Sequence, residues 1–101
     1  MYQHFVCFKF KENTPPEAIQ QHLELFAALK GAIPQIVSYA GGKTFTGGQG
    51  VEKFDTAHNI TFQTKEDIDI YLHHPAHQAF IEANKAHWEN VFVVDSEIAS
   101  A

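Results

Sequence analysis

The 101-residue sequence has no arginine, one cysteine, and no apolar run approaching the ~20 residues that cross a bilayer. Without arginine, and at a net charge of −5, no basic patch exists to displace counterions from a phosphate backbone, which excludes nucleic acid as a partner. Bidentate capture of a phosphate or carboxylate substrate is weakened for the same reason. Cys7 has no second cysteine to pair with, so no intrachain disulfide forms, which suits a reducing compartment. It has no expected thiolate-stabilising neighbour and reads as a packed residue rather than a nucleophile. The opening MYQHFVCFKF lacks the basic start and long apolar core of a signal peptide. The expectation is a cytoplasmic protein with no membrane span. The glycine-rich stretch 41–50, GGKTFTGGQG, lacks the GK[ST] of a phosphate loop and does not open a helix, so it reads as a connection that lids a pocket. Ser38, Ser96 and Ser100 sit in no nucleophile-elbow context, and no Ser-His-Asp arrangement can be assembled from them.

What the chain does have is apolar surface and histidine: 45% hydrophobic residues, nine Phe and seven His. That supports one domain over residues 1–101, although a domain of this size is marginal alone and gains from oligomerisation. Residues 2–10 alternate, with Tyr2, His4, Val6, Phe8 and Phe10 on one strand face and Gln3, Phe5, Cys7 and Lys9 on the other. In NTPPEAIQ, Thr14 is the expected N-cap, Pro15 the first helical residue and Glu17 the partner in a capping box. Ile19, His22, Leu23, Phe26 and Leu29 follow at helical spacing, and Gly31 is expected to end that helix. A second strand is expected over 35–43 and a third over 57–64, with His58, Ile60 and Phe62 on one face. Thr64 and Asp67 cap a short helix whose buried face carries Ile68, Tyr71 and Leu72. Pro75 starts another helix to about residue 90, and VFVVDSEI, 91–98, is the last strand. The order β-α-β-β-α-α-β predicts an α+β, ferredoxin-like fold: a four-stranded antiparallel sheet with helices on one face. The opposite face, with Phe5 and Cys7 among polar residues, needs cover. A second copy of the chain is the economical cover, which makes the expected assembly a homodimer.

The segment YLHHPAHQAF, 71–80, places three histidines within five positions. Pro75 sets His77 in the first turn of a helix, where unpaired N–H groups and the positive end of the macrodipole disfavour a protonated ring. Burial pushes the same way. His77 is therefore expected to be neutral at pH 7, with one ring nitrogen able to accept a proton. Tyr71, six residues earlier across the proline break, can offer its O–H to a developing oxyanion. His4 and His58 occupy inward strand faces that this topology can bring near. If the four converge, they make an apolar pocket with polar groups and no charged residue, suited to a neutral or weakly acidic hydrophobic substrate. Val6, Phe8, Phe26, Ile60, Phe80 and Trp88 are the expected apolar lining, with His22 on the stripe of the first helix beside them. Taken singly, each strand histidine fits a core residue bonded to a carbonyl at least as well. His73 reads as the end of the short helix and His74 as a turn or cap residue. His73 and His77 are i, i+4, but Pro75 breaks the helix that would align them, and no cysteine or carboxylate lies within the cluster. No metal or other cofactor is expected.

The segment HNITFQTKEDIDIYLHHPAHQAF resembles the signature of the stress-responsive A/B barrel (Dabb) family: a strand carrying His, then T-F, then a helix ending Y-x-x-H-P-x-H-x-x-F. The opening HFVCFKFKE is similar to that family's first strand, and the likeness covers about residues 3–98. The resemblance implies a ferredoxin-like fold whose members dimerise, joining two four-stranded sheets into an α/β barrel. The family includes plant stress-induced proteins and a plant polyketide cyclase that closes a ring by intramolecular aldol condensation without metal or cofactor. In that enzyme a histidine of the H-P-x-H motif and the preceding tyrosine form the acid–base pair. By resemblance those roles fall on His77 and Tyr71 here, and the pocket-lining strand histidines are His4 and His58. Two readings stay open. One is cofactor-independent acid–base chemistry on a small hydrophobic carbonyl compound. The other is a non-catalytic barrel that binds a hydrophobic ligand or acts in a stress response. A cofactor-free monooxygenase of the related barrel folds has no distinguishing motif in this chain.

Overall fold

Alternation along Tyr2–Phe10 produces a strand, and hydrogen bonding on both of its edges makes it central. In the computed structural model, which describes residues 1–50 and 52–99, the chain runs β1 (Tyr2–Phe10), α1 (Pro16–Ala32), β2 (Ser38–Lys43), β3 (Thr56–Phe62), α2 (Lys65–His73), α3 (Pro75–Asn84) and β4 (Trp88–Glu97). A short 3-10 turn, Lys85–His87, joins α3 to β4. The four strands form one antiparallel sheet in the order β2-β3-β1-β4. Val6 of β1 stands opposite His58 of β3 on one side and Val93 of β4 on the other. Directly opposed residues share a face, so His4, Val6 and Phe8 lie with Ile60, His58, Val91, Val93 and Asp95 on one side of the sheet. The helices cover this side. Phe26, Leu29, Ile33, Ile60, Phe62, Ile68, Tyr71 and Phe80 bury against Val6, Phe8 and Phe10 to form the core. This is the ferredoxin-like α+β arrangement.

Several element ends differ from the sequence expectation, some for a local reason and some because of packing. Thr14 does not cap α1. Its hydroxyl donates to Lys11 O at 2.6 Å, and extended Pro15 is the N-cap with no side-chain bond. Pro15 disfavours helical backbone at Thr14, and Pro16 takes the first helical position. Gly31 does not end α1 either. Ile33, fully buried, draws the last turn onto the core and donates its N–H to Leu29 O at 2.9 Å; Pro34 then blocks continuation. The turn that follows is closed by Ile36 N–H to Ile33 O, which delays β2 to Ser38. β3 spans Thr56–Phe62 rather than 57–64, because Thr64 leaves the ladder to accept from Asp67 N–H at 3.1 Å and cap α2. α3 ends at Asn84, whose side chain donates to Phe80 O, and β4 begins at Trp88, which packs on Phe8. Ser100 lies outside the described residues.

The glycines of the β2–β3 connection border the outer sheet face, away from the cavity expected between sheet and helices. Gly47 and Gly48, both at positive φ, line a hollow of about 610 Å³ there with Phe5, Cys7, Phe54 and Phe92. β4 is a sheet edge, and its run Val91–Val94 is exposed on both faces. Among the described residues no helix is long and apolar enough to cross a membrane.

One glycine is required by close approach. Gly41 stands opposite His58, and the Tyr39 phenol folds over it to meet His58 Nδ1 at 2.8 Å. A Cβ at position 41 would collide with the Tyr39 hydroxyl and lie 2.7 Å from His58 Nδ1. Gly41→Ala is expected to destabilise the fold by about 1–3 kcal/mol, read as a lower urea midpoint at unchanged m-value; an unchanged midpoint would mean that the phenol has room to move aside.

Candidate functional site

The site begins at the break between α2 and α3. Pro75 occupies the first position of α3, and His74 caps it, its Nδ1 accepting from Ala76 N–H at 3.0 Å. An unbroken helix would send that same N–H to Leu72 O. Freed of it, the Leu72 carbonyl accepts instead from His77 Nδ1–H at 3.1 Å and from the Gln78 side-chain amide at 2.7 Å. The carbonyl only accepts, so the proton of neutral His77 is on Nδ1 and Nε2 is left as an acceptor. Burial holds the His77 pKa below its ordinary value; the bond to Leu72 opposes this and nearby His4 adds to it. His73 is exposed and pairs with Asp69 on its own helix, apart from His77.

His77 lines a cavity of about 330 Å³ between α2, α3 and the β1–β4 half of the sheet. The other walls are His4, Val6, Phe8, Phe26, Tyr71, Leu72, Phe80, Ile81, Trp88, Val91, Val93 and Asp95. The Tyr71 ring lies 4.5 Å from that of His77 and 5.6 Å from that of His4, centroid to centroid. Tyr71 is fully buried, and its hydroxyl has no hydrogen-bond partner. Burial, with Tyr39 adding, pushes the phenol far above its ordinary range, so it remains an O–H donor at any physiological pH. An unsatisfied buried hydroxyl costs ~1–3 kcal/mol, and this one belongs to a residue of the cavity wall.

Of the expected site residues, His77, Tyr71, His4, Val6, Phe8, Phe26, Phe80 and Trp88 come together around this cavity. His58, His22 and Ile60 do not reach it. Each is buried at 1% exposure or less. The His22 and His58 rings meet through their Nε2 atoms at 3.2 Å. Tyr39 OH and Thr56 Oγ1 contact His58 at 2.8 and 3.1 Å, and the His58 ring stacks on Phe26 at 4.0 Å. Phe8, Phe26 and Phe80, which line the cavity, pack against this pair, and the two histidines belong to the core. The expectation of a pocket without charge is corrected too: Asp95 lines the cavity and bonds His4. Alternation in VFVVDSEI does put Val91, Val93 and Asp95 on one face, but only the β1–β4 register shows that this face is the helix side.

Comparison with known proteins agrees with the geometry. The model of the Stress Responsive A/B Barrel Domain matches residues 2–98. The chain is 26% identical over 93 residues to olivetolic acid cyclase of Cannabis sativa, covering 92% of each chain. It is 26% identical over 93 residues to a stress-response A/B barrel domain-containing protein of Arabidopsis thaliana, covering 92% of this chain and 85% of that one. Among solved structures, a dimeric protein of unknown function and ferredoxin-like fold from Bacteroides fragilis is 25% identical. It superposes with a TM-score of 0.79 over 96% of this chain and 95% of its own.

The core histidine pair makes the fold acid-sensitive. Burial lowers His22 to about 4, and burial with the neighbouring His22 ring lowers His58 to about 3. In the unfolded chain both return to ~6.5, so between about pH 6.5 and 4 the unfolded state binds more protons. The stability that comes from keeping these rings neutral is complete above ~6.5 and is lost as pH falls below it. Urea midpoints measured from pH 7.5 down to 5 are expected to fall, and His22→Leu to flatten that slope. Equal slopes in the two proteins would show that the pair is not the source.

Proposed function

Because this chain belongs to the stress responsive A/B barrel domain family, we propose that its helix-side cavity carries out cofactor-independent acid–base chemistry on a small, neutral, hydrophobic carbonyl compound. The observation that carries this reading is the Tyr71 hydroxyl, buried without a partner, beside a histidine whose Nδ1–H is held by Leu72. A substrate carbonyl oxygen accepts from the Tyr71 O–H, which stabilises negative charge as it develops there. His77 Nε2 takes a proton from the adjacent carbon, giving an imidazolium and an enolate. The enolate carbon attacks a second carbonyl carbon, and the imidazolium returns its proton to the new alkoxide. The net result is an aldol-type carbon–carbon bond with no change in oxidation state and the base regenerated. The reverse sequence cleaves such a bond. The volume of about 330 Å³ suits a small molecule. The wall contains one carboxylate, Asp95, and no lysine, which selects against anionic substrates. Likeness to a cyclase supports the reaction class.

The same reading includes a homodimer. Phe92 and Val94 are 47% and 43% exposed on the outer sheet face, where they stand beside Cys7 and Phe5. A second copy laid on this face covers them, as the dimeric relative supports.

Two experiments test the reading. In a screen of aldol and retro-aldol substrates, His77→Gln is expected to lower turnover by ~10²–10⁴ and Tyr71→Phe by ~10²–10³. Tyr71→Phe should at the same time gain ~1 kcal/mol of stability, because it removes an unsatisfied hydroxyl. Full activity in both variants would remove the assigned roles; ligand binding without turnover in any protein would leave the non-catalytic binding reading. Sedimentation is expected to give two chains per particle, and Phe92→Glu to give one; a monomeric wild type would sink the dimer.

A further inference from the structure

The reading above gives no task to the contact between β1 and β4 at the cavity wall. His4 and Asp95 are direct partners in the antiparallel register, so both side chains stand on the helix side of the sheet. His4 Nδ1 lies 2.5 Å from Asp95 Oδ1, and both residues line the cavity. An ionised carboxylate only accepts, so the hydrogen lies on Nδ1 and is donated to Asp95. The His4 side chain is 6% exposed and that of Asp95 50%, so the ring is enclosed while the carboxylate keeps its contact with solvent. The ring is also set edge-on to Tyr71 at 63°. Among the described residues, His4 Nε2 has no protein partner.

We propose that Asp95 is a positioning residue that holds His4 as the Nδ1–H tautomer, leaving an unprotonated Nε2 that accepts a hydrogen bond from a hydroxyl of the bound molecule. The proposal rests on the cavity being the ligand site and extends it. The cavity residues then offer two unpartnered donors, Tyr71 O–H and Trp88 Nε1–H, and two ring acceptors, His77 Nε2 and His4 Nε2. The complementary ligand has a carbonyl and a hydroxyl on one apolar frame, so the substrate class narrows from carbonyl compounds to hydroxycarbonyl compounds. The tautomer matters because a ring with its proton on Nε2 can only donate to that hydroxyl's oxygen, which in a phenol is a weak acceptor, whereas a bare Nε2 accepts the phenol's strong O–H. A carboxylate at 95 enforces the acceptor form, whereas a carboxamide of the same shape can donate to Nδ1 and send the ring proton to Nε2.

Long-range proton–nitrogen NMR of the full chain near pH 7.5 reads the tautomer without any substrate. The expected wild-type pattern for His4 is Nδ1 protonated and Nε2 bare, and Asp95→Asn is expected to reverse it while the His22 and His58 resonances stay in place. A wild-type ring protonated on Nε2, or on both nitrogens, overturns the proposal, and this arm holds even if the variant does not fold. An unchanged tautomer in folded Asp95→Asn overturns it as well. Titration with 3-hydroxybenzaldehyde, whose phenol stays largely neutral at this pH, and benzaldehyde then tests the acceptor role. The wild type is expected to favour the hydroxylated probe by roughly 2–10-fold, the value of one neutral hydrogen bond, and Asp95→Asn to lose that preference. Equal binding of the two probes by the wild type overturns the acceptor role. Binding of neither, with the tautomer as expected, counts against the cavity as a ligand site and leaves the positioning by Asp95 intact.

Discussion

The cavity is aligned by a carbonyl that helix geometry leaves without its usual donor. Where Pro75 interrupts the chain, the Ala76 N–H that would have closed the last turn of α2 on Leu72 goes to the His74 ring instead. Leu72 O then takes the His77 ring N–H and the Gln78 amide. One backbone acceptor so decides which nitrogen of His77 is free, and it holds the ring beside Tyr71. Buried carbonyls rarely go unpaired, and here that requirement is met by the side chain that the cavity presents.

The buried polar groups divide into two kinds. Around His58, the Tyr39 hydroxyl, Thr56 and His22 satisfy one another inside the core, stacked on Phe26. This network rigidifies and has nothing left to offer a ligand beyond one buried nitrogen of His22. The Tyr71 hydroxyl, by contrast, is buried with no partner, on a residue that belongs to the cavity wall. The chemical difference between these histidine groups is one of satisfaction, since both sit among aromatic rings on the same side of one sheet. The His58 ring has both nitrogens partnered, whereas the Tyr71 hydroxyl, in the cavity wall, has none.

β4 ties the cavity to the outer face. Val91, Val93 and Asp95 form a cavity wall, while Phe92 and Val94, interleaved with them, point to the other side. The strand lies at the sheet edge, and among the described residues no strand pairs with its far side. Cover for the outer face therefore also steadies the cavity wall, because alternation puts both surfaces on one strand.

The order of elements, the strand faces and the helix break were legible because each follows from a period or a proline within a few residues. The same holds for Tyr71 and His77, brought together across a single turn. Errors at some element ends came from packing that no local pattern carries, as at Ile33 and Trp88, and others from competing local hydrogen bonds, as at Thr14 and Thr64. His58 and His4 looked alike in sequence, each on an inward face of an alternating strand, yet one packs on Phe26 in the core and the other meets the cavity. That difference, and the pairing of His4 with an aspartate 91 residues away, arose from sheet register and from where the helices lie across it. The sequence by itself determined which groups share a face, since side-chain direction is a property of the local backbone. Only the tertiary structure decided which of them find partners and which are left open to a ligand, since hydrogen bonding depends on residues distant along the chain.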